Sequence, residues 1–210
     1  MNSYMQCLSA AFVPEGATIF DVGCNINPIP IHCGVLDDFT QMSLARFYNA
    51  QIVGIEPIYW QTYEEKWGNH PRVKLVKKAL ADTTEKKIMF TPGAHALSTF
   101  YDRKVFEEVR KTESIPEVEV QCITFDKLLE ELLIDKVDYL KIDTEGAEFA
   151  ILKGAIKNLE NGNISYIQLE HGGTELDAGF TPEEIANFLK SYGYSEIVKT
   201  REDVLWKKLK

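Results

Sequence analysis

No two of the chain's 4 cysteines are spaced as C-x-x-C, and Cys7, Cys24, Cys33 and Cys122 are scattered along it. That pattern suggests neither a zinc site nor a disulfide framework, and it leaves reduced, intracellular thiols as the expectation. Long apolar runs are missing too. The stretch Ala10-Ala11-Phe12-Val13 is too short for a membrane span or a signal-peptide core, and no basic segment precedes it, so a cytoplasmic protein without membrane contact is expected. Basic charge is scarce: 23 Lys and Arg face 32 Asp and Glu, the formal net charge is −9 and the pI is near 5.0. Binding to a nucleic-acid backbone rests on clustered cations, so none is expected here, and a small neutral or cationic ligand fits better. Internal repeats and low-complexity tracts are absent. So is the dinucleotide fingerprint G-x-G-x-x-G, which weighs against a nicotinamide cofactor.

What is present suits one globular domain over residues 1–210, since 45% of the 210 residues are hydrophobic. Residues 2–12 read as a short helix within a lead-in of residues 1–17, and Pro14-Glu15-Gly16 turns into a strand over 18–21. A crossover helix is expected over 41–48, with further strands at 51–56, 73–76, 87–90 and 118–123. Thr124 caps a helix carrying Phe125, Leu128, Leu129, Leu132 and Leu133. Thr181-Pro182-Glu183-Glu184 is a capping box with proline at the first helical position. Two strands around Arg201-Glu202-Asp203 are close enough to pair as a hairpin. The segment 91–114, with Gly93, His95 and Ser98, reads equally as a substrate-facing loop or a solvated one.

Several strands end in an acid. The first closes on Asp21 and runs into Val22-Gly23-Cys24-Asn25, the second closes on Glu56, and in open α/β sheets ligands collect at such carboxyl ends. The third case is Asp138-Tyr139-Leu140-Lys141-Ile142-Asp143-Thr144-Glu145-Gly146-Ala147-Glu148. Alternation puts Lys141 and Asp143 on one face, opposite Leu140 and Ile142, so Asp143 is a ready partner for an ammonium that would be costly to bury alone. A helix is expected from Ala147 until Asn161-Gly162 stops it, with Glu145 and Glu148 at its N-terminus, where they would also complement the helix dipole. A strand over 165–170 ends in Glu170-His171, which places His171 at the same edge. A histidine there takes a proton near neutral pH, although one beside two glycines is often only a loop residue.

Asp21-Val22-Gly23-Cys24-Asn25-Ile26-Asn27, Ile55-Glu56-Pro57, Leu140 through Glu148 and Leu152-Lys153-Gly154-Ala155 together resemble the FkbM-type methyltransferases, class I enzymes that use S-adenosyl-L-methionine. The likeness covers roughly residues 18–195, and its most specific part is the K-I-D-x-E-G-A-E segment. The resemblance implies a Rossmann-like α/β fold with helices on both faces of a seven-stranded, mostly parallel sheet whose last strand is antiparallel. It implies that Asp21, Gly23 and Asn25 cradle the methionine part of the cofactor, Glu56 the ribose, Ala81 and Asp82 the adenine edge, and that Asp143 lies beside the transferred methyl group. Asn27 stands where the family usually has a glycine, and the segment before the first helix is longer than usual, so residues 27–40 are expected as a lid insertion.

The activity implied is an O-methyltransferase acting on a hydroxyl of a sugar, glycan or small metabolite. His171, Lys141 and Asp143 are the candidates for removing the acceptor's proton. No metal is required, although Asp143 with Glu170 has the oxygen ligands that Mg²⁺ takes. The alternatives are a nucleotide-dependent oxidoreductase of similar fold, or a catalytically inactive cofactor-binding module.

Overall fold

The computed structural model describes residues 3–24, 38–92, 98–103, 106–112, 114–171 and 174–209. Asn25, Asn27, Cys33, Gly93, His95 and most of the expected lid lie outside these. In chain order the elements are α1 (Ser3–Ala10), β1 (Thr18–Val22), α2 (Phe39–Arg46), β2 (Gln51–Ile55), α3 (Trp60–Trp67), β3 (Val73–Val76), β4 (Ala79–Leu80), β5 (Lys86–Phe90), α4 (Phe106–Val109) and β6 (Glu117–Ile123). There follow α5 (Phe125–Leu132), β7 (Val137–Ile142), α6 (Glu148–Lys153), α7 (Ile156–Glu160), β8 (Ile164–Glu170), α8 (Thr174–Asp177), α9 (Pro182–Ser191), β9 (Tyr194–Lys199) and β10 (Asp203–Lys208).

Seven strands make one sheet in the order β3-β2-β1-β7-β8-β10-β9, with β10, the last in sequence, antiparallel to both neighbours and the others parallel. The chain leaves β1 toward β2 on one side and returns as β7 on the other. The strand order therefore reverses between β1 and β7, where the ends of neighbouring crossovers part and a crevice opens at the carboxyl rim.

Successive side chains of a strand face opposite ways, and each face of this sheet has its own core. Phe20, Val22, Leu140, Ile142, Ile167, Leu169 and Trp206 pack with residues of α5, α6, α7 and α9. On the other face Ile19, Tyr139, Tyr166 and Leu205 lie with Cys7 and Leu8 of α1 and Phe39 of α2. All six residues of β7 are buried, as a central parallel strand covered on both faces requires. The α1 and α2 face also carries a polar rung, for Asp21 is in register with Lys141 and Lys141 with Gln168. Among the described residues no helix is long and apolar enough to cross a membrane.

Two features lie outside the expectations and one expectation needs correction. The strands β5 and β6 join β4 in a separate three-stranded sheet, not the main one. The helix α3 was not expected: only Tyr63 of its residues is buried, so it lacks the aliphatic stripe that marks a helix in sequence. The helix expected from Ala147 breaks into α6 and α7 at Gly154-Ala155. Gly154 presses on the Ala81 carbonyl so closely that a Cβ would stand 2.2 Å from that oxygen, and Asp126 of α5 caps the new helix start by accepting from the amides of Lys157 at 2.9 Å and Asn158 at 3.1 Å.

Candidate active site

The loops that leave β1 and β7 touch at the rim. Gly23 has φ +75°, which favours glycine, and a Cβ there would lie 1.8 Å from the Asp143 carbonyl oxygen. The missing side chain thus seats the β7 loop against β1. Asp143 N–H donates to Val22 O at 3.2 Å, while the amides of Gly23 and Cys24 both donate to Ile55 O at 3.0 and 3.2 Å. Three strand ends, those of β2, β1 and β7, are knitted together this way.

Lys141 stands at the centre of this junction, 3% exposed. Its Nζ is 3.2 Å from Asp21 Oδ1 and 3.3 Å from Asp143 Oδ2, and it donates to Gly23 O at 3.3 Å and Val22 O at 3.5 Å. The rings of Tyr4 and Phe39 flank it at 5.4 and 5.9 Å. Burial pushes the ammonium's pKa down, but Asp143, Tyr4 and Asp21 outweigh burial and hold it well above the usual lysine value. Lys141 is a permanent cation here.

Its two carboxylates differ. Asp21 is 2% exposed, and burial pushes its pKa up despite Lys141 and the Thr40 hydroxyl, which donates to Oδ2 at 2.9 Å. Thr40 in turn meets the Tyr63 hydroxyl at 2.8 Å, and the Tyr63 ring is seated over Gly54. Burial acts on Asp143 as well, but Lys141 together with donors from Tyr4 and Glu170 pulls its pKa below the ordinary carboxylate value, so Asp143 is the firmer anion. Its side chain keeps 22% exposure, which gives it the open side that Asp21 lacks.

Glu56 follows β2 directly and is buried. Its Oε1 accepts from the amides of Ile58 at 2.9 Å and Tyr59 at 3.0 Å; burial pushes its pKa up and those amides restrain the rise. Ala81 and Asp82 sit apart, past β4. Ala81 is a packing position against Gly154, and the Asp82 carboxylate pairs with Lys87 at 2.9 Å, whose hydrogen bond holds its pKa down. His171 lies one strand further along the rim. Its ring Nε2 is 3.2 Å from Thr200 O, a carbonyl that accepts from it.

Two further groups, one absent from the sequence reading and one given another role in it, complete the picture. Tyr4 of α1 donates its hydroxyl to Asp143 Oδ2 at 2.5 Å, a contact across 139 residues that no local pattern signals. Glu170, considered above only as a metal ligand, is pushed up to about 10 by burial and by the charges of Asp143, Glu145 and Glu148, which favours its neutral form. Among the described residues no group of three or more His, Cys, Asp or Glu is placed to hold a metal. Glu148 turns back on its own loop, where its Oε1 accepts from Thr144 N at 2.9 Å, Thr144 Oγ1 at 3.0 Å and Gly146 N at 3.3 Å. Glu145, in the left-handed region at φ +55°, is pushed up to about 7 by burial although Arg103 lies 2.9 Å from it.

The geometry therefore joins Asp21, Gly23, Lys141 and Asp143 in one cluster, sets Glu56 on the adjoining strand end, and leaves Asp82 and His171 at its flanks. A solved structure of a methyltransferase FkbM from Methylobacillus flagellatus shares this fold at 14% identity and a TM-score of 0.50, with 92% of this chain covered. The chain spans 43% of that structure's length. A human methyltransferase 10 domain containing protein matches at 10% identity and a TM-score of 0.44, covering 99% of this chain and 79% of that one. No curated protein matches significantly. The sequence profile of the methyltransferase FkbM domain matches residues 21–196, from the last polar residue of β1 into β9, and the chain belongs to that methyltransferase family.

Proposed function

We propose that the chain transfers a methyl group from S-adenosyl-L-methionine to a hydroxyl of a sugar, glycan or small metabolite in the cytoplasm. The observation that carries this reading is the Asp21–Lys141–Asp143 cluster at the point where the strand order reverses, with Glu56 beside it. The donor set fits the cofactor. Glu56 is a buried carboxylate at the end of β2, the position from which an acid accepts from both ribose hydroxyls. Asp143 is a partly open anion, suited to a sulfonium, and Asp21 with the Gly23 turn shapes the wall between them. Free, buried Cys7, Cys24 and Cys122 accord with a reducing compartment.

The bound cofactor supplies an electrophilic methyl group on a cationic sulfur. The chain's own part is mainly alignment, which lowers the barrier of a two-body step by about 7–11 kcal/mol when the reactants are well held. Asp143 has to hold the cation without over-stabilising the ground state. The donors that crowd its carboxylate temper its charge in that sense. Of the three candidates for general base, Lys141 keeps its proton and Asp143 is too weak a base. His171, at the same rim with its ring Nε2 anchored on Thr200 O, is the candidate left for that role, which contributes on the order of 10²–10⁴-fold.

Calorimetry with S-adenosylhomocysteine, followed by transfer of labelled methyl to a panel of hydroxylated acceptors, tests the reading. Micromolar binding and labelled product are expected, and His171→Gln should keep the binding while losing product. Tight binding of NADH with none of S-adenosylhomocysteine would overturn it, and binding without transfer to any acceptor would make the protein a cofactor-binding module.

A further inference from the structure

The family match begins at residue 21, so α1 lies outside it. Yet α1 reaches the site. It packs on β9, β10 and α2, with Leu8 and Cys7 fully buried between helix and sheet. Ser3, at its N-terminal end, hydrogen-bonds Thr200 in the β9–β10 turn. Tyr4 then turns inward: its ring is edge-on to Phe39 at 5.8 Å, its face lies 5.4 Å from Lys141 Nζ, and its hydroxyl meets Asp143 Oδ2.

A carboxylate on a short side chain rotates freely unless its oxygens are held. Here one oxygen, Oδ2, receives both the Tyr4 hydroxyl at 2.5 Å and the Lys141 ammonium at 3.3 Å, from two different elements. Lys141 is fixed by β1 and β7, whereas the Tyr4 donor comes with α1. We propose that Tyr4 is a positioning residue that fixes the Asp143 carboxylate toward the cofactor's sulfur, and that α1 is therefore a working part of the methyl-transfer site. This rests on the cofactor assignment made above.

The test compares two probes by calorimetry: cationic S-adenosylmethionine and neutral S-adenosylhomocysteine. A fixed anion facing the sulfur favours the cation, so the ratio of the two affinities reads Asp143 and is blind to a general loosening of the pocket. Tyr4→Phe keeps the ring and removes only the donor; it should lower the ratio at least about threefold, since a hydrogen bond to a charged group is lost. In an Asp143→Asn background the same change should do nothing. Leu8→Ala loosens α1 and with it the Tyr4 donor, so it should lower the ratio in the same direction, by no more than Tyr4→Phe does. In the native chain, amide exchange over residues 7–10 should slow when S-adenosylmethionine binds, a measurement independent of any variant.

A wild-type chain that binds neither probe would sink the cofactor assignment and this proposal with it. If the wild type favours the cation but Tyr4→Phe keeps its ratio, only the positioning role falls. It falls likewise if Leu8→Ala leaves the ratio untouched while weakening both affinities, or if exchange in α1 does not respond to the ligand.

Discussion

Lys141→Met removes the ammonium at the centre of the site while keeping an apolar side chain of similar length. A buried and a partly buried acid lose their cation, Asp21 at 3.2 Å and Asp143 at 3.3 Å, and among the described residues no other Lys or Arg pairs with either. Deleting one partner of a buried ion pair costs roughly 3–5 kcal/mol because the remaining charge is stranded. The pH dependence carries the sign. In the native chain Asp143 has a depressed pKa, so its contribution is present above pH 3.8 and is lost as pH falls through the folded value; Lys141 is raised and contributes at every pH below 10.5. In the variant both carboxyls rise above their unfolded values, so the folded state holds protons the unfolded state releases and is penalised as pH climbs. Urea melts of both proteins between pH 5 and 8 should therefore show a gap of roughly 3–5 kcal/mol at pH 8 that narrows toward pH 5. A gap below about 1 kcal/mol at pH 8, or one that ignores pH, would refute the claim that this ammonium neutralises the two acids.

Gly23→Ala forces a left-handed backbone on a residue with a Cβ and drives that carbon into the Asp143 carbonyl; a loss of about 2–5 kcal/mol in urea melts is expected, together with weaker S-adenosylhomocysteine binding. Glu56→Ala should weaken that binding at least about tenfold in calorimetry, two hydrogen bonds to a carboxylate being at stake, and an unchanged affinity would remove the ribose from this strand end. Glu170, pushed up to about 10 from an ordinary 4.5, costs stability as pH rises through that window, so Glu170→Gln should gain on the wild type by up to ~1.4 kcal/mol per pH unit above pH 5, read from paired melts.

The parts of this site that the sequence disclosed are those governed by the strand period. Alternation alone put Lys141 and Asp143 on one face, and the acids Asp21 and Glu56 could be placed at strand ends because a strand in a parallel sheet stops where its apolar run stops. What stayed hidden depends on contacts between distant segments. The break at Gly154 sits against the Ala81 carbonyl, some seventy residues earlier, a contact that Leu152-Lys153-Gly154-Ala155 does not announce although the glycine itself weakens a helix there. Glu148 looks like a dipole-complementing acid until the turn over 144–146 is seen to fold onto its carboxylate. The β4–β6–β5 sheet is likewise invisible to a period-2 pattern, which gives strands but not their partners.

The same distinction explains why charge gathers where it does. A parallel sheet that reverses its strand order brings two strand ends side by side with no crossover between them, and here those ends carry Asp21 and Asp143. Two acids so placed would repel and resist burial, so a lysine from within β7 is required between them, and only the position two residues before Asp143 puts it on the right face. With Lys141 between the pair, Asp143 is held on the anionic side while the pKa of Glu170 beside it is pushed up to about 10, so the two neighbouring acids differ in charge. A single fixed charge discriminates a sulfonium from a neutral thioether, which a patch of mobile, partly protonated acids would do poorly.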